Sequence, residues 1–224
     1  MRSPAAKAPS MLHEDLSVSL RAIRDLYSNS IKKVIVDSPH TYQSIIEFIE
    51  TFTPQLKFSV ELYDDPVPIF DALGIELEIS RALNRNVWLK SGGYIVIEQT
   101  EALFVIDVNT GRYVGKGNQA DTILKTNLEA VKEIAYQIRL RNLGGIIIVD
   151  FIDMERYENR DRVFNAFVEA MKKDRAKNTI SHISELGLIQ MTRKRVRESL
   201  GRTLCATCPS CEGQGFVKSP KTLC

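Results

Sequence analysis

The sequence predicts an α/β fold, and three observations carry that reading. From about residue 13 to residue 72, helix-like and strand-like stretches alternate, the pattern of an α/β unit. Two apolar runs, ALFVIDVNTG over 102–111 and GGIIIVDFID over 144–153, each stop on carboxylates. The stretch between them has apolar residues at spacings of three and four, which predicts a helix packed against the strands it joins.

The elements follow in order. Residues 1–10, MRSPAAKAPS, are rich in Ala, Pro and Ser and read as a disordered leader or linker remnant. Periodicity then predicts a helix over 14–28, a strand over 32–38, a helix over 41–52 and a strand over 57–63. A short helix over 75–85 leads into VWLKSGG at 87–93. Strands follow over 94–99 and 102–108, with Thr100 and Glu101 between them as a tight hairpin. In the long helix, Leu124, Leu128, Val131, Ala135 and Ile138 form one apolar face, and Gly144 supplies a C-cap. A second helix over 158–173 repeats the logic with Val163, Phe164, Phe167, Val168 and Met171, and 186–194 reads as another strand. The sequence shows no internal repeat of 20 to 50 residues.

A chain of 224 residues with 44% hydrophobic and 26% charged residues can bury a substantial core. No run approaches the ~20 apolar residues of a membrane span, and the N-terminus lacks an apolar signal core, so a cytoplasmic protein is expected. The net charge of +2 does not argue for nucleic acid, but its distribution is uneven. Between 171 and 204 there are nine Lys/Arg against three acids, and TRKRVR at 192–197 is the part most like a phosphate-facing strip. A solvated helix face is the competing account of the same cluster.

Side chains alternate along a strand, so Asp107 and Asn109 project to one face. An acid beside an amide offers hard oxygens of the type magnesium takes, with water or phosphate completing the shell. Asp150, at a second strand end, is the candidate for the other carboxylate, whereas Asp153 is an odd offset further and in an extended strand points away. The alternative is that these acids cap turns. Two other chemistries fit less well. A haloacid-dehalogenase phosphatase needs an acid where Asn109 stands, and the glycine-rich 111–117 lacks the Gly-Lys-Ser/Thr ending of a phosphate loop.

Three of the four cysteines, Cys205, Cys208 and Cys211, lie in CATCPSCEGQGF at 205–216, and the fourth is Cys224. A Cys-Pro-x-Cys-x-Gly-x-Gly turn presents thiolates at one point, and in a cytoplasmic setting metal is favoured over a disulfide. Structural zinc takes four ligands and the knuckle gives two. A site shared between two chains, with Cys208 and Cys211 from each, is therefore expected, against the alternative of reduced surface thiols in a tail.

Taken together, GGYIVIEQTEALFVIDVNTG (92–111), TNLEAVKEIAYQIRLRNLGGIIIVDFIDM (126–154) and CPSCEGQG (208–215) closely resemble the ribonuclease E/G family of bacterial endoribonucleases, over about 10–217. The resemblance implies a partial ribonuclease H-like subdomain at 11–75, a DNase I-like catalytic subdomain at 76–202, a zinc link at 203–217 and a tail at 218–224. It implies that Asp107 and Asp150 bind a catalytic magnesium ion, that Asn109 helps hold the acid or the metal, and that Lys177 lies near the scissile phosphate. It further implies hydrolysis of single-stranded, A/U-rich RNA that leaves a 5′-phosphate, in RNA processing and decay. The pair Cys208 and Cys211 would hold zinc between protomers of a homodimer or homotetramer. No segment matches the family's oligonucleotide-binding domain, its 5′-phosphate sensor or its small C-terminal domain, so a truncated or isolated catalytic core is expected. The rival reading is a module that binds RNA or assembles through zinc without cleaving.

Overall fold

The computed structural model describes residues 16–26, 31–52, 60–111 and 119–219. The expected leader, the first part of the strand over 57–63, most of the glycine-rich 111–117 and Cys224 lie outside the described residues. The chain divides into two compact units, Met1–Glu76 and Leu77–Cys224.

In the first unit, α1 (Val18–Leu26), β1 (Val34–Val36), α2 (Pro39–Phe52), β2 (Val60–Leu62) and α3 (Ile69–Ala72) follow one another. The strands β1 and β2 pair in parallel. Helix α2 begins two residues before the expected position. Ser38 caps it, its hydroxyl accepting from the Thr41 N–H at 3.3 Å, and Pro39 takes the first helical position, where the missing N–H costs nothing. Ile45 and Ile49, one turn apart, then close a small core with Ile23, Val36 and Val60.

Helix α4 (Ile75–Leu83) spans the division between the units. The second unit continues with β3 (Asn86–Trp88), β4 (Tyr94–Gln99), β5 (Leu103–Asn109), α5 (Gln119–Leu140), β6 (Gly145–Asp150), α6 (Tyr157–Met171), β7 (Asn178–Ile180), β8 (Leu188–Arg193) and α7 (Leu200–Leu204). Its sheet has the order β3-β4-β5-β6-β8-β7 and is mixed. The junction of β5 with β6 is parallel, and the other four are antiparallel.

The hairpin between β4 and β5 sits one residue later than expected. Thr100 and Leu103 close it, through Thr100 N–H to the Leu103 carbonyl at 2.9 Å and Leu103 N–H to the Thr100 hydroxyl at 3.1 Å. Glu101 and Ala102 therefore form the loop.

One face of the sheet is apolar. Ile95, Ile97, Phe104, Ile106, Val108, Ile147, Val149, Ile189 and Met191 are buried there in one cluster with Ala130, Val131, Ile134 and Ile138 of α5 and Val163, Phe167 and Met171 of α6. Each such side chain contributes about 1.5–3 kcal/mol on full burial. The opposite face carries Val96, Val105, Asp107, Ile148 and Gln190, half-buried or exposed. The mixed α/β architecture is the one expected.

Helix α5 ends differently from the expectation. Asn142, at φ +49°, takes the left-handed position, not Gly144. Its N–H donates to Arg139 O at 3.2 Å and that of Leu143 donates to Ile138 O at 2.9 Å, the paired bonds of a Schellman ending. Leu143 is buried beside Ile138, the apolar contact that accompanies this motif.

Candidate metal and catalytic site

The register of β5 and β6 makes Asp107 and Asp150 direct partners. Neighbours in a sheet point to the same face, and burial of Ile106, Val108 and Val149 assigns the opposite face to the core. Both carboxylates therefore leave the open face side by side at the ends of their strands.

Asn109 projects beside them. Its amide donates to Asp107 Oδ2 at 2.8 Å, which fixes one carboxylate oxygen. Gly93 allows the neighbouring turn to approach, because a Cβ there would lie 2.7 Å from the Asn109 carbonyl oxygen.

The carboxyl of Asp150 titrates above the ordinary aspartate range. Partial burial is the main cause, followed by the negative charges of Asp107 and Asp153. Asp153 was expected to point away by strand alternation, but β6 ends at Asp150 and that rule does not reach it. Its charge acts on Asp150, and its Oδ1 lies 3.6 Å from where a Cβ on Gly187 would be.

Among the described residues, no group of three or more His, Cys, Asp and Glu side chains forms a ready-made metal site. The fit to magnesium rests on the donor chemistry of two acids. They are hard oxygen ligands on one face, mutually repelling and half-open to water, a set that a dication relieves and that leaves positions for water and phosphate.

The loop after β6 is held by a residue the sequence reading passed over. Asn127 is fully buried in α5. Its amide donates to Ile152 O at 2.8 Å and its carbonyl accepts from Ile152 N–H at 3.1 Å. The signal was an asparagine on the apolar face between Leu124 and Val131, where an unpaired amide would be costly.

Lys177 is not brought to this pair. It is exposed and its carbonyl accepts from Lys194 N–H at 2.9 Å. The register places that contact beyond the Asn178–Arg193 partners, and Arg193 partners Gly145 at the opposite end of β6 from Asp150.

The basic strip is divided. Arg193 turns inward and grips Asp174 through two hydrogen bonds, at 2.6 and 3.0 Å. Arg195, Arg197 and Arg202 line a pocket of about 290 Å³ with Gln99 and Ser199.

The described cysteines Cys205, Cys208 and Cys211 are free thiols. Cys208 titrates below the ordinary thiol range because it accepts hydrogen bonds from the backbones of Cys211 and Ser210 and from the Cys211 side chain. Gly213 and Gly215 take positive φ of 86° and 80°, the conformation that suits glycine in a tight turn.

A family profile described as Ribonuclease E/G family matches residues 1–196. Among curated relatives, the chain is 48% identical over 213 residues to a protein named Ribonuclease G from Salmonella typhimurium (strain SL1344), covering 95% of this chain and 44% of that protein. It is 42% identical over 221 residues to Ribonuclease E of Haemophilus influenzae, covering 99% and 24%. It is 41% identical over 216 residues to the Ribonuclease E/G-like protein, chloroplastic, of Arabidopsis thaliana, covering 96% and 22%. The chain thus spans less than half the length of these relatives.

Proposed function

Since the chain belongs to the ribonuclease E/G family, we propose that it is the catalytic portion of an endoribonuclease that hydrolyses phosphodiester bonds of single-stranded, A/U-rich RNA in the cytoplasm, with Asp107 and Asp150 holding a magnesium ion. The observation that carries this reading is the side-by-side placement of the two acids on the open face of the sheet.

A magnesium ion held by Asp107 and Asp150 would supply an activated water and positive charge for the phosphate oxygens. The chain's own residues do the remainder. Asn109 donates to one oxygen of Asp107, so the other lone pairs of that carboxylate are left for the metal. Asp150 stands beside Asp107, and partial burial, followed by the charges of Asp107 and Asp153, raises its pKa. Asn127 holds the backbone at Ile152 and so positions the segment that follows Asp150. Water attacks phosphorus in line, and the bond to the 3′-oxygen breaks, leaving a 5′-phosphate on the downstream fragment. Arg195 and Arg197 are exposed and suit contacts to RNA phosphates away from the cleaved bond, as does Lys177.

Among the described residues no helix is long and apolar enough to cross a membrane. The cysteine turn is read as half of a zinc site. Cys208 and Cys211 with the same pair from a second chain make a tetrahedral set, and the amides directed at Cys208 favour its thiolate.

The test is a labelled single-stranded RNA incubated with magnesium or with EDTA. It is run with this chain and with this chain joined to the flanking regions its relatives carry. Magnesium-dependent cutting that disappears on combining Asp107→Asn with Asp150→Asn is expected. Cutting that survives both changes makes the strand ends structural caps and returns the chain to an RNA-binding or assembly role.

A further inference from the structure

We infer that Trp88 and Tyr94 form a stacking platform for a nucleobase of the bound RNA, next to the cleaved bond. This rests on the reading of the open face as the site of RNA cleavage.

Trp88 is the only tryptophan of the chain. It is 70% exposed, so its large apolar ring contributes little to the core while keeping a π-face available. The neighbouring Val87 packs against the core cluster, which assigns Trp88 to the other face by alternation. On that face Trp88 partners Tyr94, with ring centroids 5.2 Å apart and planes inclined by 54°. Tyr94 in turn partners Asn109, the residue that holds Asp107. A single row across three strands thus runs from the exposed ring to the amide beside the catalytic acid, and at ~4.8 Å per strand it is about 10 Å long.

The row is fixed in place. The turn after Trp88 is closed by Leu89 N–H to Gly93 O at 2.8 Å and Gly92 N–H to Leu89 O at 3.0 Å. Gly93 lies directly against the Asn109 backbone. The backbone that carries the ring is thus tied to the strand end that carries Asn109.

Charge does not explain what the ring receives. On its own face the row holds Tyr94 and Asn109, neutral side chains that give a phosphate little to gain. An aromatic face gains from any base, since every base has a π-face, and such stacking is tolerant of sequence. A base seated on Trp88 would set the RNA's register so that a neighbouring phosphate lies over Asp107 and Asp150.

A lone tryptophan makes the test direct. Short single-stranded RNA is titrated into the chain in calcium while Trp88 emission and the anisotropy of a labelled RNA are recorded together. Saturable quenching that tracks binding is expected, as is its loss with an oligomer that has abasic sites. Trp88→Ala should weaken binding roughly 5- to 100-fold, and Trp88→Phe should restore most of it.

RNA binding without quenching overturns the platform, as does equal affinity of Trp88→Ala, or no quenching at any RNA concentration. A blue shift that depends on protein concentration and ignores RNA places Trp88 in a chain-to-chain contact and also overturns it. The Asp107→Asn/Asp150→Asn double variant keeps the two ideas separable. Quenching that persists in a variant unable to cut supports the platform on its own terms, whereas cutting by Trp88→Ala at the parent rate and affinity refutes the platform and leaves the metal reading intact.

Discussion

Asp107 and Asp150 are partners across the parallel junction of β5 and β6, and the pair is electrostatically unfavourable until something positive joins it. Because the folded-state pKa of Asp150 lies above its unfolded value, the folded chain binds that proton more tightly. Stability therefore falls as pH climbs from the ordinary aspartate range, near ~3.9, through the raised value. Asp150→Asn should raise the Tm of the metal-free chain slightly at neutral pH, the gain being small because Asp150 is exposed and screened by solvent, and the gain should vanish near pH ~3. Scanning fluorimetry at the two pH values measures it, and a lowered Tm at neutral pH contradicts the arrangement.

The same substitutions should act oppositely on chemistry. On the proposed mechanism, Asp107→Asn and Asp150→Asn each remove a charge from the candidate metal site while preserving shape, so RNA cleavage should drop on the order of 100-fold or more, with circular dichroism unchanged. Asn109→Ala removes only the amide that holds Asp107 and should cost about 10-fold, recovered in part by excess magnesium. An Asn109→Ala loss as deep as that of the acids would move Asn109 from positioning the acid to ligating the metal.

Arg193 and Asp174 form a buried ion pair, their side chains 6% and 3% exposed. Burial alone would raise the Asp174 pKa, but hydrogen bonds from Arg193 and the Ala176 N–H outweigh it and hold the carboxyl below the ordinary range. Arg193 also donates to Asn142 Oδ1 at 3.0 Å and Leu143 O at 2.8 Å, so it ties the end of α6 to the end of α5. Asp174→Ala leaves an uncompensated buried guanidinium and should cost about 3–5 kcal/mol. With the pKa depressed, the pair's contribution is present above the unfolded aspartate pKa and lost as pH falls through the folded one. Urea melts at neutral and acidic pH should show the wild-type advantage over Asp174→Ala shrinking toward acid.

Zinc stoichiometry tests the cysteine turn. Metal analysis of the purified chain should find about one zinc per two chains, and a strong chelator should shift the mass from dimer or tetramer toward monomer. Cys208→Ser should remove both the metal and the assembly. One zinc per chain would bring in Cys205, and an assembly indifferent to chelator would remove zinc from its interface.

Asn127→Leu strands the N–H and carbonyl of Ile152 without their partners. It should destabilise the chain by about 2–3 kcal/mol and weaken binding of magnesium at the proposed site, although the Asn127 amide is hydrogen-bonded to Ile152 and not to a candidate ligand. Calorimetric titration of magnesium separates these effects. Lost stability with metal affinity retained would limit Asn127 to a structural part.

The strongly periodic parts of this fold were legible in the sequence. Helix α5 and strands β5 and β6 follow from long apolar patterns, and placing Asp107 and Asn109 on one face needed only strand alternation. Short-range choices were less legible. The three-residue β7, Asn178–Ile180, has no apolar run to announce it and exists because β8 offers it an edge. The end of α5 fell to Asn142 because its side chain is held there by Arg193, a contact 51 residues away in sequence. Arg193 itself read as part of a phosphate-facing strip, since nothing local shows that Asp174 waits for it in the interior. Trp88 lies in a stretch to which the sequence assigned no element, and only the register of β3 with β4 revealed its neighbours.

The parallel junction of β5 and β6 has a kinetic side. Parallel neighbours cannot be joined by a hairpin, and here the crossover includes the 22 residues of α5. An unfolded chain therefore carries two unrelated acids, and no nascent turn can hold them together ahead of the rest. The proposed metal pair is therefore assembled only by the step that docks α5 and closes β6 against β5. Metal uptake by a refolding or newly made chain would thus act as a clock for completion of that unit, and a partly folded intermediate would be unable to cut RNA.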